Sequence, residues 1–425
     1  MRGTRICAAD SIKPINMICR AAASVARLPE NSMGKYDVSI TECRSYDFQT
    51  VRAAILTAAE AVGGFGFVKP GMTVALKVNL VSGEKPDKAA TTHPAVVCAV
   101  CDILRELGAS VIVGDSPGGL YNQTAVGRIY NLTGMHECEK YGATLNTDFS
   151  EAQAEYPGAR AAHEFLYTAY LNKADAVINL CKLKTHGMMG LSCASKNMFG
   201  TIPGIVKPEY HFRYPSYEQF ADMILDLGEY FHPALTICDA VVGMEGNGPT
   251  AGTPRPIGAI LASRSMPMLD AVAASVIGLT PEEVPTLIAA RRRDSLPENI
   301  SDISVFGDVD SFKISDYKNI ATRHSLHFRG TSDNVIQNIF AGVAAGLLAA
   351  KPGLDKKKCV GCNKCGSICP ASAIRMVRGK ARIDRKKCIR CFCCQEFCPK
   401  GAMKVRRTLV SRIIGGSARG KNLTK

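Results

Sequence analysis

The chain has 425 residues, is 46% hydrophobic, and carries 18 cysteines and a net charge of +14. That length suits two or three domains with a sizeable core. No apolar run reaches the roughly 18 residues of a bilayer helix and no secretory leader precedes the cysteines, so neither a membrane span nor a disulfide framework is expected, and a reducing cytoplasm is.

Residues 1–33 are expected to be a flexible extension. Val38–Ile40 reads as a short strand, and Thr50–Val62 as an alanine-rich helix ended by Gly63-Gly64. Thr73–Leu80 reads as a buried strand carrying Lys77 and Asn79. His93-Pro94 opens a helix to Leu107, stopped by Gly108. Cys98 and Cys101 share a face of that helix and are expected in the core. Val111–Gly114 and Asp175–Leu180 are the next strands. Ser216–Phe231 reads as an amphipathic helix with Phe220, Met223, Ile224, Leu227 and Phe231 on one face, and Ser216 and Gln219 suit a capping box. Leu235–Cys238 and Ile257–Leu261 follow as strands and Met268–Ile277 as a helix. The run Ile339–Ala350 is too short to span a bilayer and reads as a buried helix. The alternation predicts an α/β domain with a largely parallel sheet over residues 34–350. Lys351-Pro352-Gly353 reads as a hinge into a second domain, residues 351–405, followed by a basic flexible tail, residues 406–425.

Four polar clusters follow the predicted strands. They are Lys77–Leu80; Gly114–Gly119, with Asp115; Asn179–His186 running on to Lys196–Gly200; and Asp239–Gly252, with Glu245 and Asn247. Ligands of open α/β sheets bind beyond the carboxyl ends of the strands, so these clusters predict a pocket. Lys77, Lys182, Lys184 and Lys196 suit a carboxylate or phosphate. His186 suits a proton donor or metal ligand, and His211 is a weaker candidate. Asp115, Asp239 and Glu245 suit partners for the lysines or a cation. Asn79, Asn197 and Asn247 complete the polar lining. Lys184, His186 and Lys196 are the candidate catalytic groups. The plain alternative is that these charges are solvated ion pairs on loops. No G-x-G-x-x-G or phosphate-loop motif supports nucleotide binding.

The second domain carries a doubled motif. Cys359, Cys362, Cys365 and Cys369-Pro370 are repeated 29 residues later as Cys388, Cys391, Cys394 and Cys398-Pro399. Eight thiolates in this arrangement exceed a zinc site, and soft sulfur ligands hold iron. Pro370, Ala373 and Ile374 are echoed by Pro399, Ala402 and Met403, and Arg378-Gly379-Lys380 reads as a hairpin turn. Over about residues 355–405 this resembles a bacterial [4Fe-4S] ferredoxin, a small α+β fold with two clusters. The resemblance implies that one cluster takes Cys359, Cys362, Cys365 and Cys398, and the other Cys388, Cys391, Cys394 and Cys369. Cys393 is expected to be no ligand.

The polar clusters resemble the family named domain of unknown function 362. The elements Lys-x-Asn-Leu, Lys-x-Lys-Thr-His, Lys-Asn-x-x-Gly and Glu-Gly-Asn-Gly-Pro stand at Lys77–Leu80, Lys182–His186, Lys196–Gly200 and Glu245–Pro249, within about residues 36–345. Val78 and Cys181 stand where the family favours proline, and neither departure removes a charge.

Charge is uneven: residues 351–425 hold a net +18 and residues 1–350 a net −4. The basic end suits an acidic redox partner protein or a solvated surface equally. Its tail lacks the aromatic platform of base-stacking proteins, so nucleic acid is not the expected partner. The expected function is electron transfer through two [4Fe-4S] clusters, coupled to a redox reaction on a small anionic ligand in the α/β domain, as in an iron–sulfur oxidoreductase. The alternative is a redox-responsive regulator or scaffold whose clusters sense instead of transferring electrons.

Overall fold

A computed structural model describes residues 34–320 and 351–406. The expected N-terminal extension, the helix Ile339–Ala350 and all but the first residue of the tail lie outside the described residues. The strands are β1 (Val38–Glu42), β2 (Thr73–Lys77), β3 (Ser110–Gly114), β4 (Ala143–Leu145), the separate hairpin β5 (Glu151–Glu155) and β6 (Glu164–Thr168), β7 (Ala176–His186), β8 (Gly190–Ser192), β9 (Leu235–Glu245), β10 (Thr253–Ser263) and β11 (Val305–Phe306). Nine of them form one mixed sheet in the order β11-β1-β10-β9-β7-β2-β3-β4, with β8 pairing β7. The centre is parallel, and within this sheet only β10 and β8 run against their neighbours.

Alternating side chains divide the core between the two faces. Val74 and Leu76 join the cluster under helices α1 (Phe48–Ala61), α2 (Pro94–Glu106) and α3 (Gln123–Thr133). Ala75 joins the cluster on the other face, covered by α4 (Ala194–Asn197), α5 (Lys207–Arg213), α6 (Tyr217–Phe231), α7 (Met266–Val276) and α8 (Pro285–Arg291). The starts follow side-chain caps. Asp47 accepts from Thr50 N, His93 Nδ1 from Ala95 N, and Ser216 from Gln219 N. Cys98 and Cys101 are buried, with Cys98 Sγ 3.5 Å from Cys138 Sγ. β7 and β9 extend well past the predicted segments, because residues read as polar loop, Lys182 and Lys184 among them, are themselves buried strand; β10 also starts earlier, at the more exposed Thr253.

The second unit is α+β and ferredoxin-like. β13 (Ile374–Val377) and β14 (Lys380–Ile383) form the expected hairpin, and Arg378 and Gly379 turn it with φ of 49° and 69°. The duplicated sequence carries duplicated backbone: Gly361 and Arg390, Asn363 and Phe392, and Ser372 and Gly401 all have positive φ, each pair 29 residues apart. One expectation is corrected. Lys351–Leu354 is no hinge but strand β12, paired antiparallel with β15 (Met403–Arg406). Both strands are edges of a two-stranded sheet, where proline is tolerated.

Candidate functional site

The unit holding the cysteines packs on the carboxyl ends of β7 and β9. Gln395, fully buried, donates from Nε2 to Gly248 O (2.7 Å) and Asn247 O (3.1 Å). Asn247 Nδ2 donates to Met403 O (3.2 Å), and Thr250 Oγ1 to Glu396 O (2.8 Å). Phe392 enters the main α/β core cluster. Gly118 and Gly187 allow the approach: a Cβ at Gly118 would collide with the Phe397 ring, and one at Gly187 with Gln395.

The eight paired cysteines line two cavities. Cys359, Cys362, Cys365 and Cys398 face one, and Cys369, Cys388, Cys391 and Cys394 face another. All eight are free thiols. The Ala373 and Ala402 amides donate to Cys369 and Cys398 Sγ, 3.2 Å each. Four soft donors around a small cavity, with N–H bonds to sulfur, fit a cubane cluster. Cys393 also borders the second cavity and is buried.

A third cavity, about 50 Å³, lies between the two units. Asn79, Asp115, His186, Lys196, Asn197 and Lys207 form its α/β wall, and Glu396 and Phe397 close it from the other side. Alternate residues of β7 supply the chemistry. Lys184 Nζ donates to Asn79 Oδ1 (2.7 Å) and Ala90 O (2.6 Å), and burial pushes its ammonium down to about 7. His186 Nδ1 accepts from the amides of Met188 (3.0 Å) and Met189 (3.1 Å), so the proton sits on Nε2. That buried Nε2 has no hydrogen-bond partner; the Glu396 carboxylate is 3.9 Å away. Burial holds the imidazole well below its ordinary value, hence neutral.

Each part of the lysine motif at 196–200 has a task. Lys196 Nζ lies 4.7 Å over the Phe199 ring, a cation–π contact. Asn197 accepts from Asn79 Nδ2 (2.8 Å) and donates to Asn179 Oδ1 (2.7 Å), tying α4 to the end of β2 and to β7. Gly200 leaves room for the buried ion pair Lys77–Asp115 (2.7 Å). Asp270 accepts from Ala194 N (2.7 Å) and Ser195 N (3.0 Å), fixing the turn that presents Lys196.

Other candidates are turned elsewhere. Lys182 and Asp239 are buried against each other at 2.7 Å, with Tyr46 bonded to both. Glu245 faces Lys318, 3.4 Å away, and Asn247 belongs to the joint. His211 stacks on Phe220 and does not border the cavity. The solvated-loop alternative fails for Lys77, Lys182 and Lys184, each 0–1% exposed. Lys207, Glu396 and Phe397 were not legible as site residues. Lys207 stands in no motif, and the other two reach the site only by docking. Lys207 Nζ donates to Ser116 O, and burial pushes it down to about 7.

An α/β domain with a cysteine-rich ferredoxin-like unit seated on its strand ends is the architecture of a two-domain iron–sulfur protein. Residues 74–275 match domain of unknown function 362, and residues 351–399 match a 4Fe-4S dicluster domain. A thylakoid-associated protein of Synechocystis sp. is 34% identical over 263 residues, 60% of this chain and 78% of that protein. The chain belongs to the domain of unknown function 362 family and carries a C-terminal 4Fe-4S dicluster domain. Among solved structures, the lactate racemase apoprotein of Thermoanaerobacterium thermosaccharolyticum matches at 9% identity and TM-score 0.35 over 57% of each chain. A protein from Thermotoga maritima matches at 14% and 0.31, over 50% of this chain and 55% of its own. The chain thus spans just over half of either, and likenesses this remote carry no functional argument. Among the described residues no helix is long and apolar enough to cross a membrane.

Proposed function

We propose that the chain is an iron–sulfur electron-transfer protein that couples two [4Fe-4S] clusters to a redox reaction of a small anionic ligand in the inter-unit cavity. In this reading Cys359, Cys362, Cys365 and Cys398 hold one cluster, and Cys388, Cys391, Cys394 and Cys369 the other. Bound clusters supply one-electron transfer. The observation that carries the reading is one short segment. Cys394 borders a cysteine cavity, and Glu396 and Phe397, two and three residues on, border the lysine-lined cavity. Lys196, Lys207 and Lys184 would attract and orient the anion. The neutral His186 would offer it the Nε2–H, and Phe397 would keep water from the gap. The basic surface would meet an acidic redox partner, and the setting would be cytoplasmic.

The test is anaerobic purification with iron and sulfide analysis, then EPR before and after dithionite. About eight irons per chain and reducible, magnetically coupled signals are expected. Clusters that bind but cannot be reduced would replace this reading with the regulator or scaffold. With an active substrate in hand, Lys184→Ala and His186→Ala should abolish turnover while iron content stays unchanged.

A further inference from the structure

The cavity between the units has a charge imbalance. Lys196 and Lys207 border it on the α/β side, Lys77 and Lys184 are buried behind them, and the acids bordering it are Asp115 and Glu396. Asp115 is taken by Lys77 at 2.7 Å. Lys182, two residues before Lys184 on β7, is neutralised by Asp239. Lys184 and Lys207 have neutral oxygen partners, and Lys196 has an aromatic ring. When protonated, Lys184, Lys196 and Lys207 outnumber Glu396 by two in a buried place, which is costly unless something answers them, and a bound anion would hold their protons in place. A second observation is independent of charge: the buried Nε2–H of His186 borders the same cavity and bonds to nothing. A buried donor without an acceptor is as costly as a lost hydrogen bond. The cavity also bounds size. At about 50 Å³ it has room for a few water-sized groups and is too tight for a dinucleotide or flavin.

We infer that the cavity is a receptor for a compact oxyanion of charge −2, a phosphate or a small dicarboxylate, held between Lys196 and Lys207 and accepting the His186 Nε2–H. This deepens the reading above, in which the ligand is only small and anionic. Glu396 sets the upper limit on charge: it opposes the anion from the cysteine-rich side and leaves two unanswered cations instead of three. A monoanion such as formate would leave one lysine unmatched.

Calorimetric titration of the anaerobically purified full chain, at pH 7 and with iron content measured, tests this. The probes are inorganic phosphate, oxalate and formate. Binding of phosphate, oxalate or both, about tenfold or more tighter than formate, is expected, and the preferred dianion identifies the ligand type. Lys196→Met and Lys207→Met should each weaken dianion binding about 10- to 100-fold. Glu396→Gln should tighten it, a gain that misfolding cannot imitate. Absence of dianion binding, equal affinity for formate, or indifference to all three substitutions would overturn the inference. Failure of the electron-transfer reading looks different. There dianions bind as stated and the clusters resist reduction, whereas reducible clusters without dianion binding remove the receptor alone.

Discussion

The ring of Phe397 fills the space that any side chain at position 118 would need. Gly118 follows β3 in the α/β domain, and Phe397 immediately precedes the last cysteine of the doubled motif, so the two units meet without room for a methyl group. Gly118→Val should therefore unseat the cysteine-rich unit, with an overpacking cost of about 1–3 kcal/mol. Hydrogen exchange should accelerate over residues 393–403 while iron content is kept. Unchanged exchange there would mean that the contact does not hold the units together.

Gln395 is the polar counterpart of that contact. Gln395→Ala would leave Asn247 and Gly248 carbonyls without their donor in a buried joint, costing about 1–3 kcal/mol. Limited proteolysis should then separate the units at protease levels that leave the parent intact.

Lys182 and Asp239 are a buried pair rather than ligand groups. Asp239→Ala strands a buried ammonium and also removes the acceptor of His93 N and Tyr46 Oη. A loss of about 3–5 kcal/mol in urea unfolding is expected. Lys182→Met with Asp239→Leu should recover most of it. A double variant as weak as the single would show that the carboxylate's other bonds dominate.

Lys184 makes stability depend on pH. In the unfolded chain it keeps its proton up to its ordinary value of 10.5, but burial makes it release the proton near 7 in the fold. Between those values the unfolded chain binds more protons, so the native state gains stability as pH rises, by up to about 1.4 kcal/mol per pH unit. Below about pH 7 both states are protonated and the burial cost is complete. Lys184→Met should thus stabilise most at pH 6–7, and its advantage should fade toward pH 10. An advantage independent of pH would place the titration elsewhere.

Thiol reactivity separates two populations of cysteine. Cys98, Cys101, Cys138, Cys181, Cys193 and Cys238 are buried in the α/β core. They should resist alkylation in the native protein even after iron chelation. Cys359, Cys362, Cys369, Cys388, Cys391 and Cys398 are at least partly exposed and should be alkylated once iron is removed. Peptide mass spectrometry reads both.

The sequence reached the doubled cysteine motif because its information is local: spacing alone marks it. Lys184, His186, Lys196 and Asn197 were also within reach, since they stand at the end of a strand or just beyond it. Lys182 and Glu245 stand in the same motifs, yet meet Asp239 and Lys318, and such pairings depend on register. Lys207 comes from a helix with no motif, and Glu396 and Phe397 from a different unit. No periodicity reports that two units touch. The segment at 351 was misread because proline and glycine signal a hinge locally, while strand pairing with residues 403–406 is decided 50 residues away.

Each repeat of the cysteine motif lends three thiols to one cavity and its fourth to the other. Neither half of the unit therefore encloses a complete set of four. Metal loading should be a cooperative event in which filling one cavity organises the chain around its neighbour, so that half-loaded protein is scarce. The same interlock bears on origins: a single-repeat ancestor would have had to work as a pair of chains, each completing the other's cage.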